Sequence, residues 1–399
     1  MPHRRRLIAT PAFSRPAARL SAFYAAAFLV TGAQLPFWPV WLAARGLDAK
    51  EIGAVFAAAI WAKLVAMPAI GALADRFGRR RVMSMLAAVA LAAYIALWPA
   101  AGFWPLLSLN LIALTAQSAL MPLGDTISLA LSRNEGLDYG RVRVWGSVSF
   151  IVASLGAGLF LAHASGEPVL PLVLGASAVL MLACRALPSP DAPRRGAALF
   201  QVRGAGMRQP GMRQVIGDRR FWMFVATASA LQASHQVYYG FGSLYWRSLG
   251  FSPTTIGWLW AEGVVAEILL FWQGRRLLRQ FGPVGLMALG GLAGIVRWSL
   301  AGLVVSLWAV SALQLLHALT FGASYLGAMH FLLRSVPPAA AASAQTLYAA
   351  ISSGAGGGLV MIAAGGLYAA FGGHAYLFMA ALSAAGLLGT LRLQRGLAI

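Results

Sequence analysis

Twelve long apolar stretches dominate this sequence and limit it to one kind of fold. Each is about 20 residues long, the length that an α-helix needs to cross the hydrocarbon core of a bilayer. Because lipid offers no hydrogen-bond partners, such stretches must be helices that bond internally. The predicted spans are 20–44, 51–74, 82–100, 104–130, 144–163, 168–187, 220–246, 254–273, 283–303, 306–332, 341–369 and 374–391.

The composition agrees with a membrane protein and excludes two other classes. Hydrophobic residues make up 59% of the chain and charged residues only 11%, whereas an ordinary soluble domain has about 25% charged residues. A soluble enzyme is therefore excluded. A disordered chain is excluded too, because it needs far more polarity to stay solvated. The single cysteine, Cys184, has no partner for an intramolecular disulfide.

The basic residues are sorted to one side of the predicted spans. If the N-terminus is cytoplasmic, 26 of the 31 Lys and Arg residues face the cytoplasm. Only Arg45, Lys50 and Arg247 face the opposite side. This bias predicts a multi-pass membrane protein with both termini in the cytoplasm. The net charge of +20 then reflects topology and contact with anionic lipid, so we expect no nucleic-acid partner.

The two halves of the sequence repeat each other at an offset of 204 residues. The matched glycines are Gly46 with Gly250, Gly53 with Gly257 and Gly78 with Gly282. A parallel repeat of this kind is the plan of secondary transporters, whose substrate site lies between the halves. We therefore predict an all-α membrane protein of 12 transmembrane helices in two pseudo-symmetric six-helix bundles. The predicted parts are an N-terminal bundle (1–187), a cytoplasmic linker (188–218) and a C-terminal bundle (219–399).

Several ionisable residues lie inside the predicted spans, where each costs about 2.5–3.5 kcal/mol on insertion scales and usually faces a cavity. Lys63 on span 2 and Glu267 on span 8 occupy equivalent repeat positions. We propose Glu267 as the protonatable group, because a carboxylate shielded from water beside a base has two stable states. Lys63 or Arg297 would then bind either Glu267 or an anionic substrate. A static structural ion pair remains the alternative for each. The full set is Lys63, Asp125, Glu262, Glu267, Arg297, His235 and His317.

Two spans carry aromatic and polar residues that could line a cavity. On span 7, His235 and Tyr238 share one face by helical spacing, which suits a ring-shaped ligand. On span 1, Gln34 and Trp38 offer similar side chains. Ordinary helix packing is the alternative for both spans.

The loop after span 2 reads Gly71-Ala-Leu-Ala-Asp75-Arg76-Phe-Gly78-Arg79. This loop is similar to the signature of the major facilitator superfamily, and it sits where that family has it. The resemblance implies the major facilitator fold. Asp75, near a helix end, could pair with an arginine across the interface and hold one face closed. We take Asp75, Arg76, Gly78 and Arg79 as candidate gating residues.

Longer phrases resemble one branch of that superfamily, the 3-phenylpropionic acid transporter family. They include Leu35-Pro-Phe-Trp-Pro-Val-Trp41, Tyr238-Tyr-Gly-Phe241, Gly263-Val-Val-Ala-Glu267 and Leu316-His317. The resemblance spans both halves. It implies proton-driven uptake of an aromatic acid across the inner membrane.

A more distant resemblance is to the oligosaccharide:proton symporters. It implies that Asp125 and Arg143 bind a sugar and that Phe150 stacks on its ring. It also implies coupling roles for Arg297 and His317. The chain departs from those symporters at Thr320, where they have a glutamate. This departure strengthens the case for Glu267 or Glu262 as the proton carrier.

These observations favour a proton symporter for a small organic acid such as 3-phenylpropionate, working by alternating access. Sugar or nucleoside uptake, small-molecule efflux, a membrane-embedded enzyme and a signalling protein are the alternatives. The sequence has no metal-ligand cluster, phosphate loop or hydrolase motif, so we expect no metal, no cofactor and no enzyme activity. We expect a monomer whose partners are a small-molecule substrate, protons and the lipid bilayer.

Overall fold

The computed structural model describes residues 14–164, 168–188 and 211–395, and these residues form helices without any strand. The described helices form twelve spans, the number that the sequence predicts. Most of the predicted linker 188–218 lies outside the described residues, and so do the two termini; from residue 211 onward the linker includes one short helix, Met212–Gly217. The spans are span 1 (Arg15–Ala44), span 2 (Ala49–Phe77), span 3 (Arg79–Ala96), span 4 (Phe103–Glu135), span 5 (Tyr139–His163), span 6 (Val169–Ala186), span 7 (Arg219–Ala233 with Gln236–Ser248), span 8 (Pro253–Trp272), span 9 (Gly274–Ala301), span 10 (Leu307–Ser335), span 11 (338–371) and span 12 (Tyr376–Arg395).

Within the described residues, nine helical segments are long and apolar enough to cross a membrane. One of these segments, Pro338–Arg395, contains both span 11 and span 12. Span 3 is not among them, because three arginines open its 18 residues. Span 7 is not among them either, because Ser234 and His235 divide it into two shorter helices.

Two of the three glycine pairs of the sequence repeat lie where a helix ends or kinks, at matched points of the two halves. Gly46 and Gly250 have φ angles of 89° and 84°, and Gly78 and Gly282 have 89° and 66°. Glycine adopts positive φ without the steric strain that a Cβ atom causes. The repeat therefore marks positions where the chain must turn out of one helix before the next begins.

Spans 1–6 pack as one bundle and spans 7–12 as a second. In the first bundle, span 1 lies against spans 5 and 6. In the second, span 9 lies against spans 10 and 12. A large apolar core fills the first bundle and continues into span 7, so the two bundles share part of one core.

The bundles meet through glycines, where span 2 crosses span 11 and span 5 crosses span 8. A Cβ atom on Gly53 would lie 3.0 Å from the Cα atom of Gly365. A Cβ atom on Gly257 would lie 2.3 Å from the backbone oxygen of Ser154. Because nothing larger than hydrogen fits there, the helix backbones themselves form this interface.

These crossings lie on one side of the molecule. We define the Arg-rich side as the side where spans 2 and 12 end, at Arg76 and Arg392. From the opposite side, span 2 packs along span 11 as far as Leu64, near the middle of span 2. At that point a Cβ atom on Gly354 of span 11 would lie 2.3 Å from the side chain of Leu64. The helices of the second bundle nearest the Arg-rich side, Arg219–Ala233, Ser324–Ser335 and Ala341–Ala349, pack against helices of their own bundle. Among the described residues, the bundles are therefore closed on the opposite side and open toward the Arg-rich side.

Candidate substrate and proton site

A buried arginine organises the polar interior of the second bundle. Arg297 on span 9 is 1% exposed. Its Nη1 donates to Nδ1 of His317 (3.1 Å) and to Oγ1 of Thr320 (3.0 Å), and its Nη2 donates to Oε1 of Gln314 (2.8 Å). None of these partners is an anion. A buried cation with neutral partners needs a negative charge nearby, because its desolvation is expensive.

The negative charge nearest to this network is the carboxylate of Glu267 on span 8. Its Oε2 lies 3.6 Å from Nε2 of His317. A guanidinium only donates hydrogen bonds, so Nδ1 of His317 accepts from Arg297, and the neutral ring carries its proton on Nε2, facing Glu267. Glu267 is 21% exposed. Arg297, His317 and Glu267 therefore form a chain from a buried cation to an acid that solvent reaches.

Thr320 joins a second histidine to the same arginine. Its hydroxyl accepts from Arg297 and lies 3.1 Å from Nε2 of His235. The other ring nitrogen of His235 lies 3.2 Å from the backbone oxygen of Gln232. With Thr320 donating to Nε2 and Nδ1 donating to Gln232, both ring nitrogens of His235 and the Thr320 hydroxyl are satisfied, whereas Nε of Arg297 has no partner among the described residues. The predicted site residue His235 is thus a neutral, fully buried support of the Arg297 network.

The surroundings of Arg297 leave no room for a substrate in this conformation. The adjoining cavity has about 10 Å³, the space of about one water molecule. Tyr238 fills one wall, with its ring stacked 4.5 Å from that of Trp260 and 4.8 Å from the guanidinium. Protein rings bury both Tyr238 and His235 in this conformation, so substrate contact by these two residues stays a prediction.

In the first bundle, the predicted Asp125–Arg143 pair does not form a direct ion pair. Asp125 instead accepts hydrogen bonds from the hydroxyls of Tyr24 (2.6 Å) and Tyr139 (3.1 Å). The guanidinium of Arg143 lies over the rings of Phe28 (4.5 Å) and Tyr24 (5.3 Å). Asp125 and Arg143, eighteen residues apart in the sequence, both contact Tyr24. The carboxylate of Asp125, however, is hydrogen-bonded to the two tyrosines and not to Arg143.

Arg143 lies close enough to Glu267 for their charges to interact across the interface between the bundles. Span 5 contributes the cation and span 8 the carboxylate, so this relation joins the two halves. A relative movement of the bundles would change it.

Lys63 lies half-buried on span 2, at the repeat position equivalent to Glu267. Within the part of the chain that the structure describes, no hydrogen bond or ion pair engages its ammonium. The predicted contact between Lys63 and Glu267 is not formed in this conformation. Binding of an anionic substrate by Lys63 stays a prediction.

Three predicted substrate contacts lie within the packing of the first bundle. Gln34 donates to the hydroxyl of Tyr94 (2.8 Å), and Trp38 donates to Oδ1 of Asn110 (2.7 Å). Phe150 is 5% exposed and its backbone touches Gly32 of span 1. Their polar groups are satisfied by protein, so substrate contact by these three stays a prediction that this conformation does not display.

Glu262, the other predicted coupling acid, is separate from the Arg297 network. Both of its carboxylate oxygens accept from the hydroxyl of Ser311, at 2.7 and 2.8 Å. The geometry therefore distinguishes the two acids of span 8, and only Glu267 contacts His317.

The candidate gating residues lie where span 2 ends on the Arg-rich side. Asp75 pairs with Arg79 at 3.1 Å within its own loop rather than across the interface. Arg76 lies over the ring of Phe77 (5.1 Å), and Gly78 has a φ of 89°. The expected cross-interface pair is absent because the described bundles are apart on this side. Gating by these residues stays a prediction.

Some residues of the site were not identified from the sequence. Gln314 stands three residues before His317 and Tyr139 four residues before Arg143, so helical spacing could have placed each on the face of its neighbour. Tyr24 reaches Asp125 from span 1, more than a hundred residues away, and no local pattern indicates that contact. Among the described residues no cluster of three or more His, Cys, Asp or Glu side chains could hold a metal ion.

Twelve spans in two bundles, with ionisable groups between and inside them, define a secondary transporter of the major facilitator type. The chain belongs to the MFS_1 like family, whose model matches residues 17–380. It is therefore a membrane transporter and not an enzyme.

Known proteins similar to this chain are transporters as well. It is 29% identical over 317 residues to the probable 3-phenylpropionic acid transporter of Escherichia coli, covering 78% of this chain and 81% of that protein. It is 27% identical over 318 residues to the maltose permease of Geobacillus stearothermophilus, covering 79% and 78%. The crystal structure of the nucleoside transporter NupG has the same fold, with a TM-score of 0.83 at 19% identity over 94% of this chain and 98% of that one.

Proposed function

We propose that this protein is a proton-coupled symporter of a small organic acid such as 3-phenylpropionate, working by alternating access. The observation that carries the proposal is the chain from Arg297 through His317 to the partly exposed carboxylate of Glu267. The similarity to the probable 3-phenylpropionic acid transporter supports the choice of substrate class.

The charges explain how a proton and an anion would travel together. With Glu267 ionised, its charge balances Arg297 inside the second bundle. When Glu267 takes up a proton, that balance is lost and the site favours an anion. Lys63 and Arg143 are the cations we propose for the carboxylate, because neither has a direct anionic partner within 4 Å among the described residues. Proton binding would thus precede binding of the acid.

Sugar or nucleoside uptake is the second candidate, because the maltose permease and NupG are among the similar proteins. Against it, the carboxylate of Asp125, which a sugar hydroxyl would need, is held by Tyr24 and Tyr139. No observation favours small-molecule efflux over uptake.

We further propose the bacterial inner membrane as the location, with the Arg-rich side in the cytoplasm, since basic residues concentrate there. The described conformation would then be open to the cytoplasm. The proposed domain limits are 1–187, 188–218 and 219–399, and the proposed transport unit is one chain with protons and a small molecule as its partners.

Uptake of 3-phenylpropionate into proteoliposomes under an imposed pH gradient tests the proposal, with protein-free liposomes as the reference for passive entry. We expect wild type to accumulate the acid and Glu267→Gln to lose accumulation while still exchanging internal for external acid. Glu262→Gln is the matched control, because Glu262 bonds only Ser311 among the described residues. Undiminished accumulation by Glu267→Gln would remove Glu267 from the mechanism, and uptake of maltose or uridine alone would favour the second candidate.

A further inference from the structure

A cavity of about 220 Å³ lies between spans 7, 10 and 11 of the second bundle. Along span 10 it is displaced from His317 toward the Arg-rich side. Its walls contain no Arg, Lys, Asp or Glu. The side chains that define it are Gln232, Phe321, Tyr325, Gln345, Tyr348 and Ser353. We call this cavity the ring pocket.

Two stretches of π-helix contribute side chains to the walls of the ring pocket. Ala318–Ala323 contributes Phe321 from span 10, and Ala350–Gly356 contributes Ser353 from span 11. A π-helical turn holds one residue more than an α-helical turn, and such turns are frequent at functional sites. Both π-helical stretches therefore lie at the level of the ring pocket.

A row of parallel rings connects the ring pocket to the proton site. On span 10 the ring of His317 lies 5.4 Å from that of Phe321, with 6° between their planes. The ring of Phe321 lies 6.0 Å from that of Tyr325, with 2° between their planes. One end of the pocket is therefore a single ring away from the histidine that contacts Glu267.

We propose that the ring pocket binds the aromatic ring of the transported acid, while the carboxylate remains in the central region between the bundles. The proposal rests on the proposed function and adds the place of the ring. A cavity of about 150 Å³ accommodates benzene, so the ring pocket has room for a phenyl ring and part of a short chain. Its uncharged lining excludes the carboxylate, whose desolvation no cation there would offset. Three aromatic side chains, Phe321, Tyr325 and Tyr348, are part of this lining, and aromatic rings prefer offset or edge contacts with one another.

Filling the pocket tests the proposal. Ala349 lines the ring pocket, and Ala342 lies two turns away on the same helix, exposed and outside the pocket. Wild type should bind 3-phenylpropionate about tenfold to a hundredfold more tightly than propionate, as burial of one ring predicts. Ala349→Phe should abolish this difference and leave propionate binding unchanged, whereas Ala342→Phe should keep the difference. An undiminished preference for 3-phenylpropionate in Ala349→Phe would overturn the proposal.

A thiol in the pocket gives a second readout that does not depend on a bulky substitution. The native Cys184 is fully buried, so Ala349→Cys adds a single accessible thiol. We expect 3-phenylpropionate to protect this thiol from N-ethylmaleimide and propionate to leave it reactive. The thiol introduced by Ala342→Cys should react equally with and without either acid. Equal alkylation of the Ala349→Cys thiol with and without 3-phenylpropionate would contradict the proposal.

The two proposals fail in different ways. If wild type neither binds nor transports 3-phenylpropionate, the proposed function fails, and the ring pocket proposal fails with it. If wild type accumulates the acid with protons but Ala349→Phe keeps the preference for the ring, only the ring pocket proposal fails.

Discussion

A Cβ atom on Gly365 would lie 2.7 Å from the backbone oxygen of Ala49, so span 11 touches the first turn of span 2 backbone to backbone. Gly366, the next residue, has open space where its Cβ atom would be. Two adjacent glycines of one helix therefore differ in whether the backbone of span 2 occupies the space beside them. One closes the interface between the bundles, and the other does not contribute to it.

Because of this contact, a larger side chain at position 365 should change the conformation of the protein. Gly365→Leu should force span 11 away from span 2 and open the bundles on the side opposite to the Arg-rich side. The reporter is a thiol introduced by Ala57→Cys on span 2, which is buried in the described conformation. We expect its alkylation to accelerate severalfold with Gly365→Leu and to stay slow with Gly366→Leu. Equal rates in the two variants would mean that the contact does not hold this side closed.

Replacing Lys63 with methionine should increase the stability of the protein and reduce its transport activity. A half-buried ammonium without a described partner destabilises a membrane helix by up to about 2.5 kcal/mol. Lys63→Met should therefore raise the thermal unfolding temperature while reducing uptake of the carboxylate substrate by an order of magnitude or more. Lys50→Met is the control, because Lys50 is exposed at the start of span 2, and it should change neither quantity. A lower unfolding temperature in Lys63→Met would show that its ammonium has a stabilising partner.

The hydroxyl of Thr320 should support the Arg297 network. Thr320→Val keeps the shape of the side chain but leaves donors on Arg297 and an acceptor on His235 without a partner. An unsatisfied buried polar group costs about 1–3 kcal/mol, so we expect a lower unfolding temperature and weaker proton-driven uptake. Thr320→Ser restores the hydroxyl and should recover both. If Thr320→Val matched wild type in both measurements, the hydroxyl would be dispensable.

Removing the negative charge of Asp125 should raise the affinity for an acid substrate and lower the affinity for a sugar. Asp125→Asn keeps an oxygen that accepts from Tyr24 and Tyr139 but removes the negative charge. Removing a charge near the proposed carboxylate site is worth roughly 1 kcal/mol at an effective dielectric constant of about 20, so affinity for 3-phenylpropionate should rise about fivefold. For a sugar that bonds directly to Asp125, affinity should fall instead. Calorimetric titration of both variants with each ligand separates the two outcomes.

The membrane architecture was predictable because a bilayer leaves a chain few choices. Backbone groups must bond internally and about 20 apolar residues are needed per crossing, so hydropathy alone located the spans. The repeated glycines were also readable, since Gly46 and Gly250 supply the same positive φ in both halves. The interruptions in spans 7, 10 and 11 were not readable, because neighbouring helices determine where a helix breaks or widens.

Which ionisable residues enter the membrane could be read from the sequence, since charge and position along a span are local properties. The partners of these residues depend on how the helices pack. Glu267 contacts His317 while Glu262, five residues earlier on span 8, bonds Ser311. Asp125 takes two tyrosine hydroxyls, not Arg143. A hydrogen bond depends on distances of a few tenths of an ångström between side chains of different helices, and the packing of those helices sets these distances, which no spacing along one helix encodes.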